Sequence, residues 1–163
     1  MRRDRYNGDK MKTQRASTLA DLAGLYDVDF FEWTRRNAEL LRAGQVDQAD
    51  MDHIAEEIED MGRRDLKELN GRMRVLLIHL LKRQLQPEKR SRSWDSTIVA
   101  QRIEIEDDLE QSPSLRRKLG ADFKDNYAKA VRRAIVETGL ARDRFPAECP
   151  FTLEQILDPE FLP

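Results

Sequence analysis

Asp50 and His53 stand three residues apart, and Glu57 follows four residues later. On a helix this spacing brings a carboxylate and an imidazole to one face, as helical di-metal bundles present their ligands. Such bundles repeat the motif on a second helix and add further carboxylates. Here the second copy is missing, because the other histidine, His79, has Leu76 three residues before it. Asp50, His53 and Glu57 are thus the candidates for a metal-dependent enzyme. A solvated acidic face explains them with less, since on a helical projection His53 points away from the apolar side and Glu56 and Glu57 flank it. His79 lies among leucines, where a core histidine held by one hydrogen bond is the default. Glycine-rich phosphate loops, nucleophile elbows and HExxH pairs are absent from the sequence. The reading assigns no catalytic residue, no metal and no cofactor.

A second chemistry is phosphate binding. Lys89, Arg90 and Arg92 crowd before Trp94, and Arg116, Arg117 and Lys118 form another basic run. Arginine suits phosphate geometry and a tryptophan can stack on a base. The structural alternative is favoured: Ser93 caps the next helix, Trp94 anchors its first turn in the core, and the arginines pair with acids elsewhere.

The element that must position all of these is a long helix of about 50–86. Met51, Ile54, Ala55, Ile58, Met61, Leu66, Leu69, Met73, Leu76 and Leu80 recur at three- and four-residue steps, along one side of a 3.6-residue spiral. Asp50 suits the N-cap. Six acidic and no Lys or Arg side chains occupy 50–60, while Arg72, Arg74, Lys82 and Arg83 lie toward the other end, as the helix dipole favours. Val75 to Leu81 are apolar on every side except at His79, which predicts a position at the centre of a bundle. Gly62 marks a kink or a close helix crossing. Asp65 and Arg72 fall on the apolar face two turns apart, so they and His79 are the expected buried polar groups.

Before this helix, residues 1–16 carry many charges and few apolar groups, which predicts a flexible arm. A helix capped by Asp27 then carries Phe30, Trp33, Asn37, Leu40 and Leu41, and Gly44 stops it. After it, a helix presents Trp94, Ile98, Gln101, Ile105 and Leu109. Ser112 and Pro113 start another, continuous through Leu115, Leu119, Phe123, Tyr127, Val131 and Ile135 and closed by Gly139. The tail, 144–163, holds too many apolar residues for disorder. It is expected to lie along the bundle, with Thr152 capping one or two turns.

Composition sets the outer bounds. The chain has 163 residues, 29 basic and 31 acidic, for a net charge of -2, which disfavours a globally basic nucleic-acid binder. One cysteine, Cys149, rules out an internal disulfide framework and suits a reducing compartment. No stretch resembles a signal peptide or a membrane span, so a cytoplasmic protein is expected.

Several segments together resemble the bacterial domain of unknown function 29 family. They are Leu25 to Trp33, Ile54 to Gly62, His79 to Lys82 with Gln86 and Pro87, Arg90 to Trp94, Ser112 to Leu115, and the tail from Phe145 to Pro163. The likeness covers roughly 25–163 in the family's order. It implies an all-helical single domain from a bacterium, with no established activity and no catalytic residues to carry over. The family often has an aromatic residue after the lysine of its His-Leu-Leu-Lys motif, where this chain has Arg83.

The reading is therefore an all-α single-domain helical bundle, 17–163, built around the long helix with an extended tail packed on it. Its function is read as non-catalytic interaction with another protein, through an acidic helix face or the tail. The surface expected to serve is Glu56, Glu57, Glu59 and Asp60, with Lys89, Arg90 and Arg92. Nucleic-acid binding through 89–94 and 116–118 is the second reading, and a metal-dependent enzyme using Asp50, His53 and Glu57 the third.

Overall fold

The computed structural model describes residues 19–163, so the arm expected over 1–16 lies outside the described residues. Among them the fold is all-α, with no strand. Helix α1 covers 19–28 as far as described; α2 is Phe30–Arg42, α3 Met51–Leu85, α4 Arg92–Gln111, α5 Leu115–Ala121, α6 Phe123–Thr138 and α7 Leu153–Leu157. The contacts fall into two compact units, one ending at Met61 and the other running Gly62–Pro163. Helix α3 is continuous across that boundary. Gly62 faces open space, with nothing near where a Cβ would stand, so a close helix crossing does not explain it.

In the first unit, Asp29 rather than Asp27 caps α2, accepting from the backbone N–H of Glu32 at 3.0 Å. Gly44 takes φ 70°, the left-handed conformation that ends α2. Of the face expected to be covered on α2, Trp33 and Asn37 are buried, whereas Phe30 and Leu41 are exposed.

The head of α3 departs most from expectation. Met51, Ile58 and Met61 are 43, 63 and 60% exposed. The side of the head turned inward carries His53, Ile54, Glu57 and Asp60, all half-buried. The aromatic rings before it offer hydrogen-bond and stacking partners, so this polar side is the one they cover.

In the second unit the expectation of an enclosed helix holds. Leu69, Met73, Leu76, Leu77, Leu80 and Leu81 of α3 are fully buried. Ile98, Ile105 and Leu109 of α4, Leu119 of α5, and Tyr127, Ala130, Val131 and Ala134 of α6 complete the core with Phe145, Phe151 and Ile156 of the tail. Each fully buried Leu or Ile contributes about 1.5–3 kcal/mol.

Three boundaries move. Ser91 caps α4, two residues before the expected Ser93, and its side chain accepts from the backbone N–H of Trp94. Ser112 closes α4 instead of opening the next helix, which starts at Leu115. The helix expected to run unbroken from Leu115 to Ile135 divides at Asp122, whose carboxylate accepts from Asn70 Nδ2 at 2.8 Å. Asn126 donates in turn to Asn70 Oδ1 at 2.5 Å. A row at four-residue steps drifts round a straight helix. Breaking at Asp122 lets Leu119 and Val131 both reach the core.

The tail is held by a residue that the sequence reading placed on no face. Arg102 of α4 is buried beside Ile98 and Ile105. Its Nε donates to the carbonyl of Ile156 at 2.8 Å, Nη1 to Pro159 at 3.1 Å and Nη2 to Phe161 at 2.7 Å. Ile156 lies in the last turn of the five-residue α7, and Pro159 and Phe161 lie in the non-helical segment beyond it, so these three carbonyls lack helical partners and a guanidinium fork suits them. Thr152 and Gln155 close a reciprocal capping box at its other end.

Two stability outcomes follow. Arg102→Met leaves three carbonyls without their donor and should lower unfolding stability in urea by about 3 kcal/mol, with Arg102→Lys recovering only part. Gly62→Ala adds a good helix former in open space and should raise unfolding stability in urea by up to about 1 kcal/mol, seen as a higher midpoint. A lower midpoint would show that α3 needs its glycine.

Candidate functional site: the polar-aromatic cluster of the first unit

Helix α1 brings Tyr26, α2 brings Trp33 and Asn37, and the first turns of α3 bring Asp50, His53 and Glu57. Asp50 is buried. One of its oxygens, Oδ2, accepts from Trp33 Nε1 at 3.0 Å and lies 2.7 Å from His53 Nδ1. Its backbone N–H donates to Asn37 Oδ1 at 2.8 Å, and Asn37 Nδ2 donates to the carbonyl of Trp33. The turn between α2 and α3 is thereby tied at both ends. The His53 ring stacks on Tyr26 with centroids 4.1 Å apart and planes 18° apart. The Tyr26 hydroxyl donates to Glu57 Oε1 at 2.7 Å.

Burial pushes the Asp50 carboxyl up, but the hydrogen bonds from Trp33 and His53 together bring it below its ordinary value. The hydrogen bond to Asp50 holds the His53 imidazolium to higher pH than usual, and Glu56 and Asp27 add to this. The hydrogen bond to Glu57 and neighbouring carboxylates push the Tyr26 phenol up to about 12, so it stays a donor at neutral pH.

Asp50 occupies Nδ1 of the half-buried His53 ring, which leaves Nε2 as the nitrogen for any other partner. This is how a carboxylate orients an imidazole for proton transfer or ligation. Asp50 and His53 do come together, but Glu57 is engaged by Tyr26 rather than joining them. Among the described residues no three or more His, Cys, Asp or Glu side chains are grouped to hold a metal ion. Tyr26 and Trp33, which complete the cluster, were missed as site residues. The signal was present in a tryptophan N–H that needs a partner once buried.

The other expected site residues lie apart from this cluster. Glu56 and Glu59 are exposed and Asp60 is half-buried. Asp65 is exposed, while Arg72 is half-buried and reaches Glu68 and Glu104, each at 2.6 Å. Arg72 Nε also lies 3.1 Å from Asp108 Oδ2, without a well-directed hydrogen bond. Its partners are these three acids and not Asp65. His79 is half-buried, and its Nδ1 donates to the Val75 carbonyl at 2.9 Å.

Lys89, Arg90 and Arg92 are exposed. Arg90 donates to the carbonyls of Arg83 and Pro163. Trp94 is half-buried with Lys82 Nζ 4.7 Å from its ring centroid, so that face already carries a cation. Arg83 pairs with Asp95 at 2.5 Å. The 89–92 run leads into the first residue of α4, and Arg116, Arg117 and Lys118 follow its end. The 20 residues of α4 span about 30 Å, so the two basic runs stand at opposite ends of that helix.

Residues 25–162 match the family described as "Domain of unknown function DUF29". The chain belongs to the DUF29 family. Neither the curated proteins nor the solved structures give a match. Among the described residues of this DUF29 chain, no helix is long and apolar enough to cross a membrane.

The pair predicts a pH window. The raised His53 value gives stability that is fully present below the unfolded histidine value of about 6.5 and is lost as pH rises through the folded value. The lowered Asp50 value gives stability present above about 3.9 and lost as pH falls through the folded value. Wild type should therefore exceed His53→Gln in urea stability most clearly near pH 5, with the gap narrowing toward pH 9. A gap constant from pH 5 to 9 would mean that the ion pair contributes nothing.

Proposed function

We propose that this DUF29 chain is a non-catalytic protein-interaction module that seats its partner along the first three turns of α3. One observation carries the reading: Met51, Ile58 and Met61 stand 43, 63 and 60% exposed on a helix whose polar side is turned inward. Met51, Ala55 and Ile58 share one strip by their i, i+4, i+7 spacing, and Asp52, Glu56 and Glu59 border it. An apolar strip with an acidic border complements an amphipathic helical segment with basic residues at its edges. The contact lies on the strip and not on the acids that flank it, since Glu57 is engaged by Tyr26. The separation of the two basic runs lends nucleic-acid binding less support. The single cysteine suits a reducing compartment, and a bacterial cytoplasm is the setting we propose.

Photo-cross-linking in the native host tests this, with the reactive residue placed at Ile58 or, as a control, at the exposed Val99 of α4. A defined protein should be captured from position 58 and not from 99. In the reconstituted complex Ile58→Asp should weaken binding at least tenfold, as loss of about 1.5 kcal/mol of buried isoleucine requires, and leave helicity unchanged. Equal capture at both positions, or binding unaffected by the substitution, would overturn the proposal. Capture of a second copy of this chain would replace the foreign partner with self-association.

A further inference from the structure

The second unit has a concavity that the interaction reading does not use. It lies between α6 and residues 142–149, with a volume of about 320 Å³. That is at the small end of the range for small-molecule sites, about 300–1,000 Å³. Its apolar wall comes from Phe123, Tyr127, Ala128 and Val131 of α6, with Ala147 and Cys149 opposite.

Two cations stand on this wall, Lys124 and Arg142, against one acid, Glu148. Lys124 has no ion-pair partner among the described residues. Arg142 Nη1 donates to the Phe145 carbonyl at 2.8 Å, which fixes the guanidinium while leaving further N–H groups. Tyr127 is buried and its hydroxyl donates to the Pro146 carbonyl at 2.8 Å, so α6 and the opposite wall are joined beneath the groove.

We infer that this groove binds a small apolar carboxylate, an aliphatic or single-ring acid, with its hydrocarbon on Phe123, Ala128 and Val131 and its carboxylate between Lys124 and Arg142. The apolar wall supplies affinity in proportion to the hydrocarbon it covers. The two cations choose an acid over an alcohol or an amine of the same length. Cys149 meets the ligand as an apolar thiol, with the Phe151 backbone N–H on its sulfur. Burial raises its thiol above the ordinary value, so it stays neutral against the ligand's chain.

The test uses the full chain and octanoate, with octanol and octylammonium as controls. Binding is followed by methyl NMR shifts at Ala128 and Val131 and by protection of Cys149, the sole cysteine, from a thiol reagent. Octanoate should bind at least tenfold more tightly than octylammonium, and each methylene between hexanoate and octanoate should tighten binding about fourfold. Ala128→Trp, at an exposed position that fills the groove, should abolish binding with an unchanged melting temperature for the free protein. Lys124→Glu should reverse the preference toward octylammonium. The inference is overturned if the acid and the amine bind alike, if octanoate moves none of these signals at millimolar concentration, or if both variants bind octanoate as the wild type does.

Discussion

A helix that is apolar on every side has to be covered on every side, and the second unit is arranged to satisfy that constraint for α3. Leu76, Leu77, Ile78, Leu80 and Leu81 leave almost no direction free for water. Helices α4 and α6 cover part of this circumference, and the tail contributes Phe145, Phe151 and Ile156 to the same core. An extended segment laid on a bundle brings backbone carbonyls that no helix satisfies. Arg102 answers that cost by donating to three of them from within the apolar face of α4. A buried charge becomes the fastener of the cover: burial pulls the Arg102 guanidinium below its ordinary value, and Asp158 nearby opposes that.

The first unit solves a different problem. Here the side of α3 that is covered is polar, and the hydrophobic effect alone would have chosen the other one. Trp33 and His53 converge on a single oxygen of Asp50, Tyr26 stacks on His53, and the Tyr26 hydroxyl meets Glu57. Each of these groups would lose hydrogen bonds if the aromatic rings were packed against Met51 and Ile58 instead. The consequence is an apolar strip facing outward beside carboxylates, which is the surface on which the interaction reading rests. DUF29 membership is consistent with this arrangement without adding a reaction to it.

Much of the fold was legible in the sequence because burial and period are local signals. The α3 stripe from Leu69 onward, the stop at Gly44, the closure of α6 at Gly139 and the capping of α7 by Thr152 all follow from residue type and spacing. Helix starts were less legible where two capping residues compete. Asp27 and Asp29, or Ser91 and Ser93, are chemically equal, and the structure separates them: Asp27 lies within α1, while Asp29 and Ser91 accept the capping hydrogen bonds. The break at Asp122 was hidden because Asn70, its partner, lies 52 residues away. The candidate site was half legible. The spacing of Asp50 and His53 put them on one face, but nothing local linked them to Trp33 and Tyr26.

By itself, then, the sequence determined the helical class, the enclosed half of the long helix and the apolar character of the tail, since each is set by periodicity along one segment. Tertiary structure decided which side of the α3 head is covered, which acids Arg72 meets, that Arg102 is buried where Gln101 is only half-buried, and that the two basic runs stand at opposite ends of α4. The physical reason is the same in each case. A hydrogen bond or ion pair between distant segments depends on the direction and reach of two side chains, and a pattern read along one segment carries neither.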